Sequence, residues 1–123
     1  MLVLGFTALA QAKDAPMHDA VKPASRDGGW MKLHESINAV AKKGKINLVF
    51  IGDSITEGWA NNDVWKKHYT PRKTLNAGIS GDRTQHVLWR LDHGNIDGTK
   101  PKLVVIMIGT NNAGANKPRE IAD

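Results

Sequence analysis

Three short stretches of this sequence hold residues that could act together on an acyl group. In residues 46–59, INLVFIGDSITEGW, an apolar run ends abruptly on Gly52-Asp53-Ser54. KTLNAGISGD carries Gly78 and Gly81 in a glycine-rich loop, and PKLVVIMIGTNN closes on Asn111 and Asn112. Gly, Asp and Ser all favour turns, so the first stretch could be a plain turn. The alternative is that the strand holds Ser54 up as a nucleophile. A serine that attacks a carbonyl needs an adjacent general base, and the resulting oxyanion needs donors aimed at it. Ser54 can offer its own backbone N–H, Gly81 an N–H that no side chain shields, and Asn111 a side-chain NH2. Together they would form a three-donor pocket around one nucleophile.

The elements that must position these residues are legible in the apolar pattern. Trp30, Leu33, Ile37, Val40 and Ala41 recur at three- and four-residue spacing, the stripe of an amphipathic helix, with Gly44 as its stop. Residues 46–51 form a short, branched apolar run, hence a buried strand. Residues 64–69 read as helical, and Thr56 and Glu57 as the opening of a helix after Ser54, with Glu57 suited to the first turn. A second strand ends near Ala77. Val87, Leu88 and Leu91 can cover one face of a helix ended by Gly94, and residues 102–108 make the third and most apolar strand. Pro118 and Glu120 fit the first turn of a last helix. Strands separated by helices predict βαβ units and a parallel sheet, in which ligands collect at the carboxyl ends of the strands. All three polar loops fall at that edge.

FIGDSITEGW, NAGISGDRTQHVLWRL and IGTNN resemble the successive motifs of the SGNH, or GDSL-type, hydrolases, nearest the branch with the catalytic subunits of platelet-activating-factor acetylhydrolase. The resemblance covers residues 46–114. Ser54 falls on that family's nucleophile, Gly81 on its second-block glycine and Asn111 on its third-block asparagine. It implies a flavodoxin-like three-layer α/β/α sandwich around a parallel sheet, and a serine esterase mechanism with no cofactor and no metal. The implied substrates are small acyl or acetyl esters of lipids or sugars. Asn112 stands where the third block commonly ends in Asp. The family's catalytic Asp and His lie in a C-terminal Asp-x-x-His, and this sequence contains none: Asp82 and His86 are four apart, and Asp92 and His93 are adjacent. The chain therefore reads as the N-terminal part of a hydrolase that would carry about five strands and ~200 residues. It is expected to stop after the third strand and to be inactive or nearly so by itself.

Other residues have supporting claims. Asp53 is expected to brace the serine loop, with Asn112 in a similar role. Trp59, Trp65 and Trp89 could line an acyl or sugar pocket, with packing of helices on the sheet as the alternative for at least two of them. Asp82 could pair with Arg83 as support or as pocket rim. His86 is expected to be structural or on the surface.

Composition narrows the field. The 123 residues are 41% hydrophobic and 24% charged, a globular balance for one small domain. With no cysteine, disulfides and thiolate metal sites are excluded. The net charge of +5 is scattered. Lys66 and Lys67 beside Trp65, His68 and Tyr69 could mimic a nucleic-acid patch, but an ordinary solvated face is expected, with no nucleic-acid partner. Glycine-rich strand ends also bind phosphate, yet neither Gly-Lys-Ser/Thr nor G-x-G-x-x-G is present. A non-catalytic carbohydrate- or protein-binding module is the remaining rival. Residues 1–12 end in Ala10-Gln11-Ala12 and look like a signal-peptide remnant, which predicts export; they are too short for stable membrane insertion. Residues 13–29, with two prolines and two glycines, read as a polar leader to a domain at 30–123. Oligomeric state is not legible.

Overall fold

A computed structural model describes residues 17–123, so the apolar stretch at 1–12 lies outside the described residues. The first long element, α1, is Gly29–Lys42. It ends as its sequence directs: Gly44 takes φ 67° and donates its N–H to the Ala41 carbonyl. Its buried stripe is Trp30, His34, Ile37 and Ala41. Leu33 and Val40, expected on that stripe, are each 43% exposed. At 100° per residue both lie to one side of the inward line, roughly 70–90° from its centre, and His34 takes the inward place in the turn between Trp30 and Ile37.

β1 (Leu48–Gly52) runs directly into α2 (Ser54–Glu57), and α3 (Asp63–His68) leads to β2 (Thr74–Gly78). α4 (Thr84–Asp92), β3 (Leu103–Met107) and α5 (Pro118–Ala122) follow. The strands form one parallel sheet in the order β2-β1-β3, with Gly52 level with Gly78 on one side and Met107 on the other. Alternation along β1 then sorts the side chains. Val49 and Ile51 face a core with Leu75, Ala77 and Ile79, closed by Trp30, Ile37 and Ala41 of α1 and Val87 of α4. Phe50 faces the other way, edge-on to Trp65 at 5.1 Å and Tyr69 at 5.4 Å. Helices on both faces of a parallel sheet make the expected three-layer α/β/α arrangement.

β3 is the exception to burial. It is the most apolar strand, yet Leu103 and Ile106 are each 58% exposed. It is an edge strand, and among the described residues nothing pairs with its outer side. The segment before α1, read as a leader, is attached to the domain over its described part. Ala20 is buried and its carbonyl accepts the Thr84 hydroxyl at 2.6 Å, while the Ala24 N–H donates to the Gln85 carbonyl. Its described part holds one short 3-10 turn, Asp19–Val21, and packs against α4.

Candidate active site

The site begins where β1 stops. A Cβ on Gly52 would lie 2.6 Å from the Met107 carbonyl oxygen and clash with the Thr56 side chain. One on Gly78 would meet Thr56 atoms at 2.8 Å. The two glycines thus let α2 sit directly on the ends of β1 and β2. Ser54 is the first residue of α2 and exposed. Its N–H belongs to the first turn, where backbone donors have no intrahelical acceptor. Asp53 is 1% exposed and caps the helix, accepting the Ile55 N–H at 2.9 Å through its side chain. The helix starts at Ser54, two residues before Thr56.

Gly81 occupies the third position of a turn closed by the Asp82 N–H on the Ile79 carbonyl at 3.2 Å. Its φ of 78° is the left-handed value that a type II turn takes at that place. Asn111 lies in the helical turn Thr110–Asn112 just past β3. Its amide nitrogen donates to the Asp82 carbonyl at 2.8 Å and stands 3.5 Å from Asp53 Oδ2. One amide therefore connects the neighbour of Gly81 to the neighbour of Ser54. Asn112 is fully buried and anchors this third loop to the start of α4: its oxygen accepts the Thr84 N–H and its amide donates to Gln85 and Asn116.

Behind the second loop lies a buried charge centre. Asp82 is fully buried, so it is support and not pocket rim, and its partners are not Arg83. Trp30 Nε1 donates to its Oδ1 at 2.6 Å, with Arg26 Nη1 at 3.2 Å. Arg90, also fully buried, places Nε 2.9 Å from Oδ2. That N–H does not point squarely at the oxygen, so the attraction is mainly Coulombic. Arg90 Nη1 donates to the Ala77 carbonyl and to Asn95 Oδ1. Burial pulls the guanidinium below its ordinary pKa, and the Asp82 charge opposes that pull.

His86 stands 3.8 Å from Asp82 Oδ1, but its Nδ1 accepts the Arg83 N–H at 2.9 Å. The neutral ring then carries its proton on Nε2 and has no free lone pair to serve Ser54. Burial first of all lowers its pKa, against the opposing charge of Asp82. Trp89 packs against Trp30 and His34 and stacks on His93 at 3.7 Å, between α1 and α4. Trp65 is buried, with Tyr69 stacked against it at 5.1 Å, while Lys66, Lys67 and His68 are exposed. Trp59 is 43% exposed and lines, with Phe50, Trp65 and Tyr69, an apolar hollow of about 150 Å³ beside α2.

Four residues at this site were not singled out by pattern: Arg26, Trp30 as a donor to Asp82, Glu57 as a loop tie, and Arg90. Glu57 Oε2 accepts both the N–H (2.6 Å) and the hydroxyl (2.5 Å) of Ser80, tying α2 to the second loop. An arginine inside the apolar pattern of α4 was the one available signal, since a buried charge requires a partner. Among the described residues, no group of three or more His, Cys, Asp or Glu is placed to hold a metal ion, and no helix is long and apolar enough to cross a membrane.

Residues 50–123 match the family described as GDSL-like Lipase/Acylhydrolase. Platelet-activating factor acetylhydrolase IB subunit alpha1 of Homo sapiens is 42% identical over 103 residues, covering 84% of this chain and 43% of that protein. The alpha2 subunit of Rattus norvegicus is 35% identical over 108 residues, 88% of this chain and 47% of that one. A solved structure from Streptococcus pneumonia, described as a candidate platelet activating factor, superposes with a TM-score of 0.56 at 27% identity. That match covers 74% of this chain and 42% of the other. The chain thus spans a little under half the length of the curated relatives it matches.

Proposed function

This chain belongs to the GDSL-like lipase/acylhydrolase family, and from that premise we propose that it carries the nucleophile and oxyanion site of a serine ester hydrolase. The observation that supports this most is the Asn111 amide, 2.8 Å from the Asp82 carbonyl and 3.5 Å from Asp53 Oδ2, between the residues next to Gly81 and Ser54.

In the proposed reaction the Ser54 hydroxyl attacks the ester carbonyl and gives its proton to a general base. Negative charge collects on the former carbonyl oxygen and is met by the N–H groups of Ser54 and Gly81 and by the second Asn111 amide hydrogen, which exchanges its long 3.5 Å contact with Asp53 Oδ2 for the oxyanion. Collapse expels the alcohol, which takes the proton from the base. Water then hydrolyses the acyl-serine by the same steps. Such donors act strongly because they are already oriented before charge develops. The acetylhydrolase names of the relatives favour acetyl or other short acyl esters, on a lipid or carbohydrate. Trp59 beside α2 is an apolar surface suited to an acyl chain or a sugar face.

The base is proposed to come from an Asp-x-x-His outside these residues, because the Nδ1 lone pair of His86 is already used by Arg83. Hydrolysis of p-nitrophenyl acetate by the 123-residue chain, by its His86→Ala variant and by a chain extended to the length of its relatives tests the proposal. Turnover is expected only in the extended chain, abolished by Ser54→Ala, with an organophosphonate probe labelling Ser54. Labelling of another serine would remove Ser54 from the mechanism. Full activity in the short chain, lost on His86→Ala, would put the base at His86.

A further inference from the structure

The turn of residues 79–82 could be closed in two ways. Its closing bond, from the Asp82 N–H to the Ile79 carbonyl, is common to type I and type II turns, which differ by a flip of the middle peptide. The middle peptide here joins Ser80 to Gly81. Gly81 sits at positive φ, and as a glycine it would accept the negative value equally well. Neither the closing bond nor the residue type decides which way the Gly81 N–H points. In a trans peptide the carbonyl and the N–H point in opposite directions, and no peptide bond among the described residues is cis. Whatever holds the Ser80 carbonyl therefore aims the Gly81 N–H.

Arg26 holds it. Its Nη1 donates to the Ser80 carbonyl at 2.9 Å and to Asp82 Oδ1 at 3.2 Å. The guanidinium lies 3.2–3.6 Å from the point where a Gly81 Cβ would stand. Asp82 is in turn held by Trp30 and Arg90, so the arginine has a fixed anchor. Glu57 grips the neighbouring Ser80 N–H from the α2 side. A hydrogen bond to a peptide carbonyl also polarises that peptide and strengthens its N–H as a donor.

We infer that Arg26 is a positioning residue for the oxyanion site: by holding the Ser80 carbonyl it locks the Ser80–Gly81 peptide in the orientation that presents the Gly81 N–H. This rests on the reading of Gly81 as an oxyanion donor. Arg26 reaches the loop from the segment before α1, which makes that segment part of the site.

Two measurements test it. In the isotope-labelled 123-residue chain, a type II turn gives a strong nuclear Overhauser effect between Ser80 Hα and the Gly81 N–H. The flipped turn gives one between the Ser80 and Gly81 N–H protons. The unmodified chain should show the first, Arg26→Ala should bring in the second, and Arg26→Lys, which keeps a charge by Asp82 without the planar fork, should lie between. Removing an oxyanion donor costs ~10²–10³ in kcat, so misdirecting one part of the time should lower kcat of the extended chain about tenfold in Arg26→Ala, with KM nearly unchanged. An unchanged Overhauser pattern, or a flipped peptide with unchanged kcat, overturns the inference. Turnover that survives Ser54→Ala instead overturns the catalytic reading, and is seen independently of the turn.

Discussion

Replacing Arg90 by Ala should be among the most damaging single changes in this chain. Arg90 and Asp82 are both fully buried, and among the described residues the guanidinium is the one cation beside Asp82 Oδ2, while Oδ1 keeps Trp30 and Arg26. Truncation would leave one carboxylate oxygen charged and uncompensated. It would also strip the Ala77 carbonyl and Asn95 Oδ1 of their shared donor. Breaking a buried ion pair from one side costs ~3–5 kcal/mol, against a total stability of about 5–15 kcal/mol for a domain. Urea denaturation followed by tryptophan fluorescence should show a midpoint lowered by about a fifth or more. The double variant Asp82→Asn/Arg90→Met, which removes both charges, should recover part of that loss, because the single variant's deficit is largely the abandoned charge. A loss below about 1 kcal/mol in Arg90→Ala would mean that water or another cation reaches Asp82, and the buried-centre reasoning would fail.

Asn111→Ala should lower kcat of the extended chain about a hundredfold or more, with a smaller change in KM, as loss of an oxyanion donor does; near-normal kcat in a folded variant would remove Asn111 from that role. Gly78→Ala should push α2 off the strand ends, since its Cβ would meet Thr56 atoms at 2.8 Å. The expected cost is ~1–3 kcal/mol, with slower phosphonate labelling of Ser54, and a wild-type melting temperature would argue against the tight seat. His34 and His86 both have pKa values below 6.5, with burial as the leading cause. As pH falls below 6.5 the unfolded chain takes up protons before the folded one, so this contribution to stability is complete above that pH and lost below it. Melting temperature should therefore decline from pH 6.5 downward, and a His34→Gln/His86→Gln pair should flatten that decline; an unaltered slope would assign it to other groups.

The sequence by itself determined the strands, the parallel sheet and the three loops that meet at its carboxyl edge. Those are local properties: an apolar run of five or six residues, a glycine where the chain must turn, a periodic helical face. Ser54, Gly81 and Asn111 were legible because each ends or follows such a run in a recognisable motif. Only the tertiary structure decided how they are held. Arg26 and Ser80 are 54 positions apart and Trp30 and Asp82 52, and no periodicity links residues at such separations. The same distance hid the inward turn of His34, which depends on the ring of Trp89 across from it. Burial of β3 likewise followed neighbours and not hydropathy, for an apolar strand is covered only where another element is packed against it.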